Sequence, residues 1–316
     1  MGSKDEMMWL DGNLVAMEEV RLPFLTPALH YGLAVFEGIR CYDTPRGPAV
    51  FRLKEHLRRF QDSIRIFGLR ELPYDTKTLH QAVHDTIQAN HLRECYIRPL
   101  MFMAESSMGL DIDSMKASVG IAVWAWGNYL GEDALEHGVR LMVSSFTRHH
   151  PNVTMTKAKI AGNYANSVLA KNLAVRSGYD ETVMLDPSGF VAECSGENLF
   201  VIRDGKIYTP PRATILEGIT RDAVITLAKD LGYQVVEEPI SRDQLYIADE
   251  MFVCGTAAEV VPVRELDTRI IGGGRRGPIT RILQDSFYKC VHGEGPRAAE
   301  WLDYVELEEQ SRVAAD

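Results

Sequence analysis

Val119-Gly120-Ile121-Ala122-Val123-Trp124-Ala125-Trp126 runs directly into Gly127-Asn128-Tyr129-Leu130-Gly131-Glu132-Asp133. The first stretch is an apolar strand. The second loses all periodicity and gathers glycine and polar residues, as an exposed connection between domains does. A linker over residues 128–138 therefore divides a first domain, residues 1–127, from a second, residues 139–316. Strand-like and helix-like segments alternate on both sides with no internal repeat, which is the pattern of an α/β (α+β) protein in two domains.

In the first half, Thr26-Pro27 predicts a short helix with a capping hydroxyl and a proline at its first position, before a strand over residues 36–42. Leu57, Phe60, Ile64 and Phe67 fall at helical spacing and predict one buried face. A second helix from about Thr76 leads to Cys95-Tyr96-Ile97-Arg98-Pro99-Leu100, where period-two alternation puts Tyr96, Arg98 and Leu100 on one side of a strand. Pro99 predicts an edge or a bulge there. In the second half, a strand over residues 139–145 precedes a helix from about Asn163. Asp186-Pro187-Ser188-Gly189 suits a type I turn, and Asp204-Gly205 a type I′ hairpin. Gly218-Ile219-Thr220-Arg221-Asp222 opens a helix with Val224, Leu227 and Leu231 on one face. Ser241 and Gln244 form a capping box before a strand over residues 250–254.

The 316 residues carry 34 Lys and Arg against 44 Asp and Glu, a net charge of −10, so nucleic acid is not an expected partner. No apolar run reaches the ~20 residues that cross a bilayer, and Asp5 and Glu6 stand where a signal peptide would be basic and then apolar. A cytoplasmic chain without membrane partners is the expectation. Cys41, Cys95, Cys194, Cys254 and Cys290 are widely spaced and never form CxxC, which predicts reduced, buried thiols and no metal site. His149-His150 lacks a visible third ligand.

Two loops have the composition of anion sites. Gly218-Ile219-Thr220 sits at a helix start, where free amides and the dipole favour phosphate, and Gly255-Thr256-Ala257-Ala258 leaves a strand in the same manner. Each also has a plain reading as a cap or turn. Gly272-Gly273-Gly274-Arg275-Arg276-Gly277 fails as a P-loop, because no Gly-Lys-Ser/Thr follows. Lys157 and Lys159 lie among apolar and small residues. The plain reading is a solvated surface pair, and the chemical one is a partly buried amine able to form a Schiff base. Glu193 interrupts an apolar strand, where it is either an edge salt bridge or a working carboxylate. A lysine, a carboxylate, Tyr164 and two phosphate-type loops are the parts that hold a phosphorylated pyridine aldehyde.

These residues resemble the class IV aminotransferases that use pyridoxal 5′-phosphate, and specifically the branched-chain amino acid aminotransferases. The resemblance spans nearly the whole chain. It rests on His30-Tyr31-Gly32, Phe36-Glu37-Gly38-Ile39-Arg40, Tyr96-Ile97-Arg98-Pro99, and Lys159 with Gly162-Asn163-Tyr164. It continues through Glu193, Gly196-Glu197-Asn198-Leu199-Phe200, Gly218-Ile219-Thr220-Arg221 and Gly255-Thr256-Ala257-Ala258-Glu259. Lys159 rather than Lys157 matches, standing four residues before Asn163.

The resemblance implies a fold type IV enzyme, with a small N-terminal α/β domain and a larger C-terminal pseudo-barrel domain. It implies reversible transfer of the amino group of leucine, isoleucine or valine to 2-oxoglutarate through a Schiff base on Lys159, the catalytic residue. Tyr164 would bond the ring hydroxyl, Glu193 the pyridine nitrogen, and Arg59, Ile219, Thr220 and Thr256 the phosphate, with Leu216 a further cofactor contact. Arg59 has a plain reading as a solvated helix arginine. Tyr31, Phe36, Trp126 and Tyr129 would wall the substrate side chain, although such aromatics are commonly core. Tyr96 and Arg98 would receive the side-chain carboxylate of glutamate or 2-oxoglutarate, and Thr256 and Ala257 the α-carboxylate. Leu110 would close the pocket from a neighbouring subunit, so a homodimer or larger homo-oligomer is implied. Glu217, where the family commonly has proline, would loosen its loop and bring a negative charge near the phosphate. Cys194-Ser195 would shift the ring slightly. Rival activities on the same fold are a D-amino acid aminotransferase, an aminodeoxychorismate lyase and an (R)-amine aminotransferase. A non-catalytic scaffold is the rival of another class, and the presence of the key residues speaks against it.

Overall fold

The computed structural model describes residues 6–105, 108–127, 130–131 and 133–307. Strands β1 (Met7–Leu10) and β2 (Asn13–Ala16) lead to helix α1 (Pro27–Tyr31), then β3 (Ala34–Phe36), β4 (Ile39–Thr44) and β5 (Gly47–Phe51). Helices α2 (Leu53–Phe67) and α3 (Thr76–Ala89) precede the long strands β6 (Cys95–Glu105) and β7 (Lys116–Trp124). The expected face of α2 is present: Leu57, Phe60 and Ile64 are buried, and Phe67 packs at the margin of the same core. Burying each such side chain stabilises the fold by roughly 1.5–3 kcal/mol. Gly68, at φ 113°, ends α2 in the left-handed conformation, its amide returning to the carbonyls of Ile64 and Arg65. Thr26 does not cap α1. Its hydroxyl donates to the Pro23 carbonyl at 2.7 Å, so Pro27 alone marks the helix start.

Pro99 lies inside the sheet rather than at an edge, a correction to the sequence reading. β6 pairs with β7 on one side and with both β4 and β3 on the other. The expected single strand over residues 36–42 is broken at Glu37-Gly38, between Phe36 opposite Leu100 and Ile39 opposite Ile97. The Pro99 carbonyl accepts from Glu37 N at 2.9 Å, so the side of Pro99 that lacks an N–H faces this break, where no ladder bond is needed.

The chain continues through α4 (Ala134–His137), β8 (Val139–Val143), α5 (Tyr164–Arg176), β9 (Glu181–Leu185), β10 (Val191–Cys194), β11 (Asn198–Arg203) and β12 (Lys206–Thr209). Then come α6 (Ile219–Asp230), β13 (Val235–Glu237), α7 (Arg242–Tyr246), β14 (Glu250–Gly255), β15 (Glu259–Leu266) and β16 (Arg269–Ile270). The expected hairpins are in place. Gly189 N bonds the Asp186 carbonyl, and Asp204 and Gly205 both have positive φ, as a type I′ turn needs. Val224 and Leu227 of α6 are buried, but Leu231 lies past the helix end and is half exposed. The second sheet runs β10-β9-β8-β15-β14-β11-β12-β13. β10 at its end passes by the short turn at residues 195–197 into β11, five places along, so the sheet must curl into a partial barrel. Finally α8 (Pro278–Val291) and α9 (Ala298–Trp301) lead to β17 (Leu302–Tyr304), which pairs with β5 in the first sheet. One core joins the sheets: Tyr42, Phe51, Trp301 and Leu302 pack with Phe200, Phe252, Leu227 and Phe287.

Candidate active site

Lys159 sits where the halves of the chain meet. Its carbonyl accepts from Phe36 N at 3.0 Å, its own N–H donates to Ser63 Oγ at 3.1 Å, and the next residue, Ile160, bridges Val35. Gly32 and Gly162 make this approach possible. Gly32 is at φ 68°, and a Cβ on it would come within 2.9 Å of Gly162 Cα. Lys159 Nζ donates to Tyr164 Oη at 2.8 Å and lies 5.1 Å from the Phe36 ring centroid. Lys157 points elsewhere, pairing with Glu217 at 2.8 Å.

Glu193 is buried on β10. One oxygen accepts from Leu216 N at 3.2 Å and Asn198 Nδ2 at 3.3 Å, and the other stands 2.8 Å from Arg148 Nε. Burial pushes its carboxyl up, and the Arg148 charge opposes that without cancelling it. Cys194 points to the opposite face, into the core around Val183 and Leu199.

Arg59, on α2, is no solvated helix arginine. Nε and Nη2 donate to the two oxygens of Glu37 at 2.7 and 2.9 Å, and Nη1 donates to the Glu217 carbonyl at 2.8 Å. His56 Nδ1 also lies 2.8 Å from Glu37. Burial alone would raise the Glu37 carboxyl, but Arg59 and His56 outweigh it and hold the group well below the usual carboxylate range. A guanidinium has five N–H groups, so one on each Nη stays available. Beside it, Gly218 opens α6, leaving the amides of Ile219 and Thr220 without partners inside the helix. Gly218 has an ordinary φ and is required for another reason: a Cβ would stand 2.0 Å from Asn198 Oδ1. The Glu217 carboxylate faces Lys157 and Arg212, and the Lys157 hydrogen bond holds it below its ordinary value. The charge expected to trouble a phosphate is therefore neutralised within the chain. A cavity of 710 Å³ lined by Arg59, Lys157, Glu217, Gly218 and Ile219 opens on this side.

On β6, Tyr96 and Arg98 share a face as the alternation predicts. The Arg98 guanidinium lies 4.8 Å from the Phe36 ring, 5.5 Å from Tyr96 and 5.7 Å from Trp124, and its buried Nε has no hydrogen-bond partner. Trp126 meets Tyr96 edge to face at 4.5 Å. Gly38 makes room for this group, since a Cβ there would fall 1.9 Å from Tyr96 Oη. Thr256 and Ala257 form the turn after β14. Tyr31 is on the exposed side of α1, Leu110 is 82% exposed, and Tyr129 lies outside the described residues. Sequence reasoning passed over Arg148, His56 and the role of Glu37. The signal for Glu37 was available, as a carboxylate inside the apolar run Val35-Phe36-Glu37.

The arrangement pairs an amine with a phenol, sets a buried carboxylate near them, and adds a guanidinium beside free helix amides. Residues 34–266 match the family model for amino-transferase class IV. The chain belongs to the class IV aminotransferase family. It is 48% identical over 305 residues to the branched-chain-amino-acid aminotransferase of Pseudomonas aeruginosa, covering 96% of this chain and 99% of that one. Among solved structures, the Escherichia coli branched-chain amino acid aminotransferase superposes with a TM-score of 0.93 at 44% identity, covering 96% of this chain and 100% of that one. The T.th. branched-chain amino acid aminotransferase complexed with N-(5′-phosphopyridoxyl)-L-glutamate gives 0.91 at 46%, covering 96% and 99%. The fold is accordingly that of fold type IV enzymes.

Proposed function

We propose that this enzyme transfers the amino group of leucine, isoleucine or valine reversibly to 2-oxoglutarate, with pyridoxal 5′-phosphate as cofactor. The observation that carries the reading is Lys159 Nζ hydrogen-bonded to Tyr164 Oη, with Phe36 and Arg98 on the neighbouring sheet face. When bound, the cofactor supplies an aldehyde that condenses with amines and a ring that accepts the electron pair released at the substrate Cα. The residues present fit it: Arg59 keeps two N–H groups beside the free amides of Ile219 and Thr220, and the Arg98 Nε lacks a partner.

Lys159 Nζ would take the proton from the substrate Cα and deliver it to the cofactor's C4′, while Tyr164 holds the amine in place by their shared hydrogen bond. Glu193, facing Arg148 at 2.8 Å, would retain a proton on the ring nitrogen, and Leu216 and Asn198 fix its direction. Arg59, Ile219, Thr220 and Thr256 hold the phosphate. Tyr31, Phe36, Trp126 and Tyr129 cover a branched side chain. Tyr96 and Arg98 receive the carboxylate of glutamate or 2-oxoglutarate, and Thr256 and Ala257 the α-carboxylate.

The reading also takes residues 1–127 and 139–316 as domains joined by residues 128–138, with β17 returning to the first sheet. It places the enzyme in the cytoplasm as a homodimer or larger homo-oligomer, in which Leu110 closes a neighbour's pocket. The exposed apolar side chains of Phe24, Leu25, Leu29 and Leu110 support such an interface. Among the described residues, no helix is long and apolar enough to cross a membrane.

The test is the visible spectrum of the protein loaded with pyridoxal phosphate, before and after L-leucine alone. The reading expects a cofactor band that leucine bleaches. A band bleached only by D-alanine or an (R)-aryl amine overturns the substrate assignment, and no band overturns the role of Lys159.

A further inference from the structure

Away from this site, three side chains converge between α3 and β17. His80 and His84 lie one helical turn apart on α3, their rings stacked with centroids 4.5 Å apart. Each Nε2 is 2.7 Å from a different oxygen of Asp303 on β17. The three ligand atoms lie within 4.8 Å of one another. Asp303 reaches them because alternation along β17 turns Leu302 into the core joining the sheets and Asp303 toward α3.

We propose that His80, His84 and Asp303 form a binding site for a divalent transition ion of the zinc class, one that clasps the C-terminal strand to α3. Two imidazoles and a carboxylate suit borderline ions rather than calcium or magnesium, which prefer oxygen. A tetrahedral zinc with bonds near 2.0 Å spaces its ligand atoms about 3.3 Å apart, a spacing that three atoms already within 4.8 Å of one another reach by small side-chain adjustments. The imidazoles bind through neutral Nε2, with the remaining proton on Nδ1, and water takes the fourth position. The five thiols are buried and offer no competing ligand. The inference stands apart from the proposed reaction.

The test uses the full, tag-free chain carrying its cofactor, dialysed against a chelator and titrated with Zn²⁺ by calorimetry and thermal melting. The expected result is one more Zn²⁺ per chain in the wild type than in His80→Gln/His84→Gln. Zn²⁺ should also raise the melting midpoint of the wild type alone, and affinity should fall at least about tenfold in Asp303→Asn. Glutamine can still donate to Asp303, and the leucine half-reaction of the variants, expected unchanged, reports folding. Equal stoichiometry in wild type and double variant overturns the proposal. So does an X-ray absorption shell around zinc in the wild type without imidazole nitrogen, a measurement that needs no variant.

Discussion

Arg59 and Arg98 come from the same half of the chain and meet opposite surroundings. Arg59 commits three N–H groups to Glu37 and to the Glu217 carbonyl, so its position is fixed by the chain before any ligand arrives. Arg98 rests over three aromatic rings with its Nε unbonded. A half-buried guanidinium whose Nε lacks an acceptor leaves a donor unmatched, so Arg98 gains most from a ligand that brings a carboxylate. The end of the site assigned to the cofactor is prepared in advance. On the proposed reading, the substrate end alternates between an aromatic wall for leucine and an anion receptor for glutamate.

Lys159→Ala, which leaves both arginines intact, is expected to lower turnover by about 10⁴-fold or more and to abolish the cofactor band, read by absorbance and the leucine half-reaction. Glu37→Gln strips Arg59 of its buried counter-charge and is expected to cost about 3–5 kcal/mol, seen in urea unfolding, with weaker cofactor uptake. If unfolding of Glu37→Gln matches wild type, Arg59 is not held as described. Arg98→Leu is expected to raise KM for 2-oxoglutarate about 10–100-fold while leaving the leucine half-reaction nearly intact, a split that steady-state kinetics resolves.

The smallest effect is in pH dependence. Glu37 titrates below its ordinary 4.5 in the folded state, so its contribution is complete above that value and disappears only as pH falls through the lowered one. Glu197 is opposite. Burial, and then the Glu181 charge, raise its carboxyl, so the folded state holds a proton that the unfolded state has lost, and stability declines as pH rises from 4.5 through the raised value. Glu197→Gln should flatten that decline, measured as the unfolding midpoint across pH 5 to 9; an unchanged slope removes Glu197 as its source.

Much of this was legible in the chain because the signals are local. The α2 face, the Asp204-Gly205 turn and the Ser241–Gln244 box each depend on residues within a turn or two of one another. The Tyr96/Arg98 pair was legible too, since strand alternation needs no partner. Pro99 was misread because the break at Glu37-Gly38 that excuses it belongs to another strand. His80 and His84 were overlooked because their third partner is more than 200 residues away, in Asp303.

The sequence by itself determined the element types, because propensity, capping and alternation act over a few residues, and the resemblance to the aminotransferases supplied the order of the motifs and the choice of Lys159 over Lys157. Only the tertiary structure decided how the charges are shared: Arg59 with Glu37, Arg148 with Glu193, Lys157 with Glu217. A buried charge must find its partner wherever the fold brings one, and that distance is set by packing rather than by position along the chain.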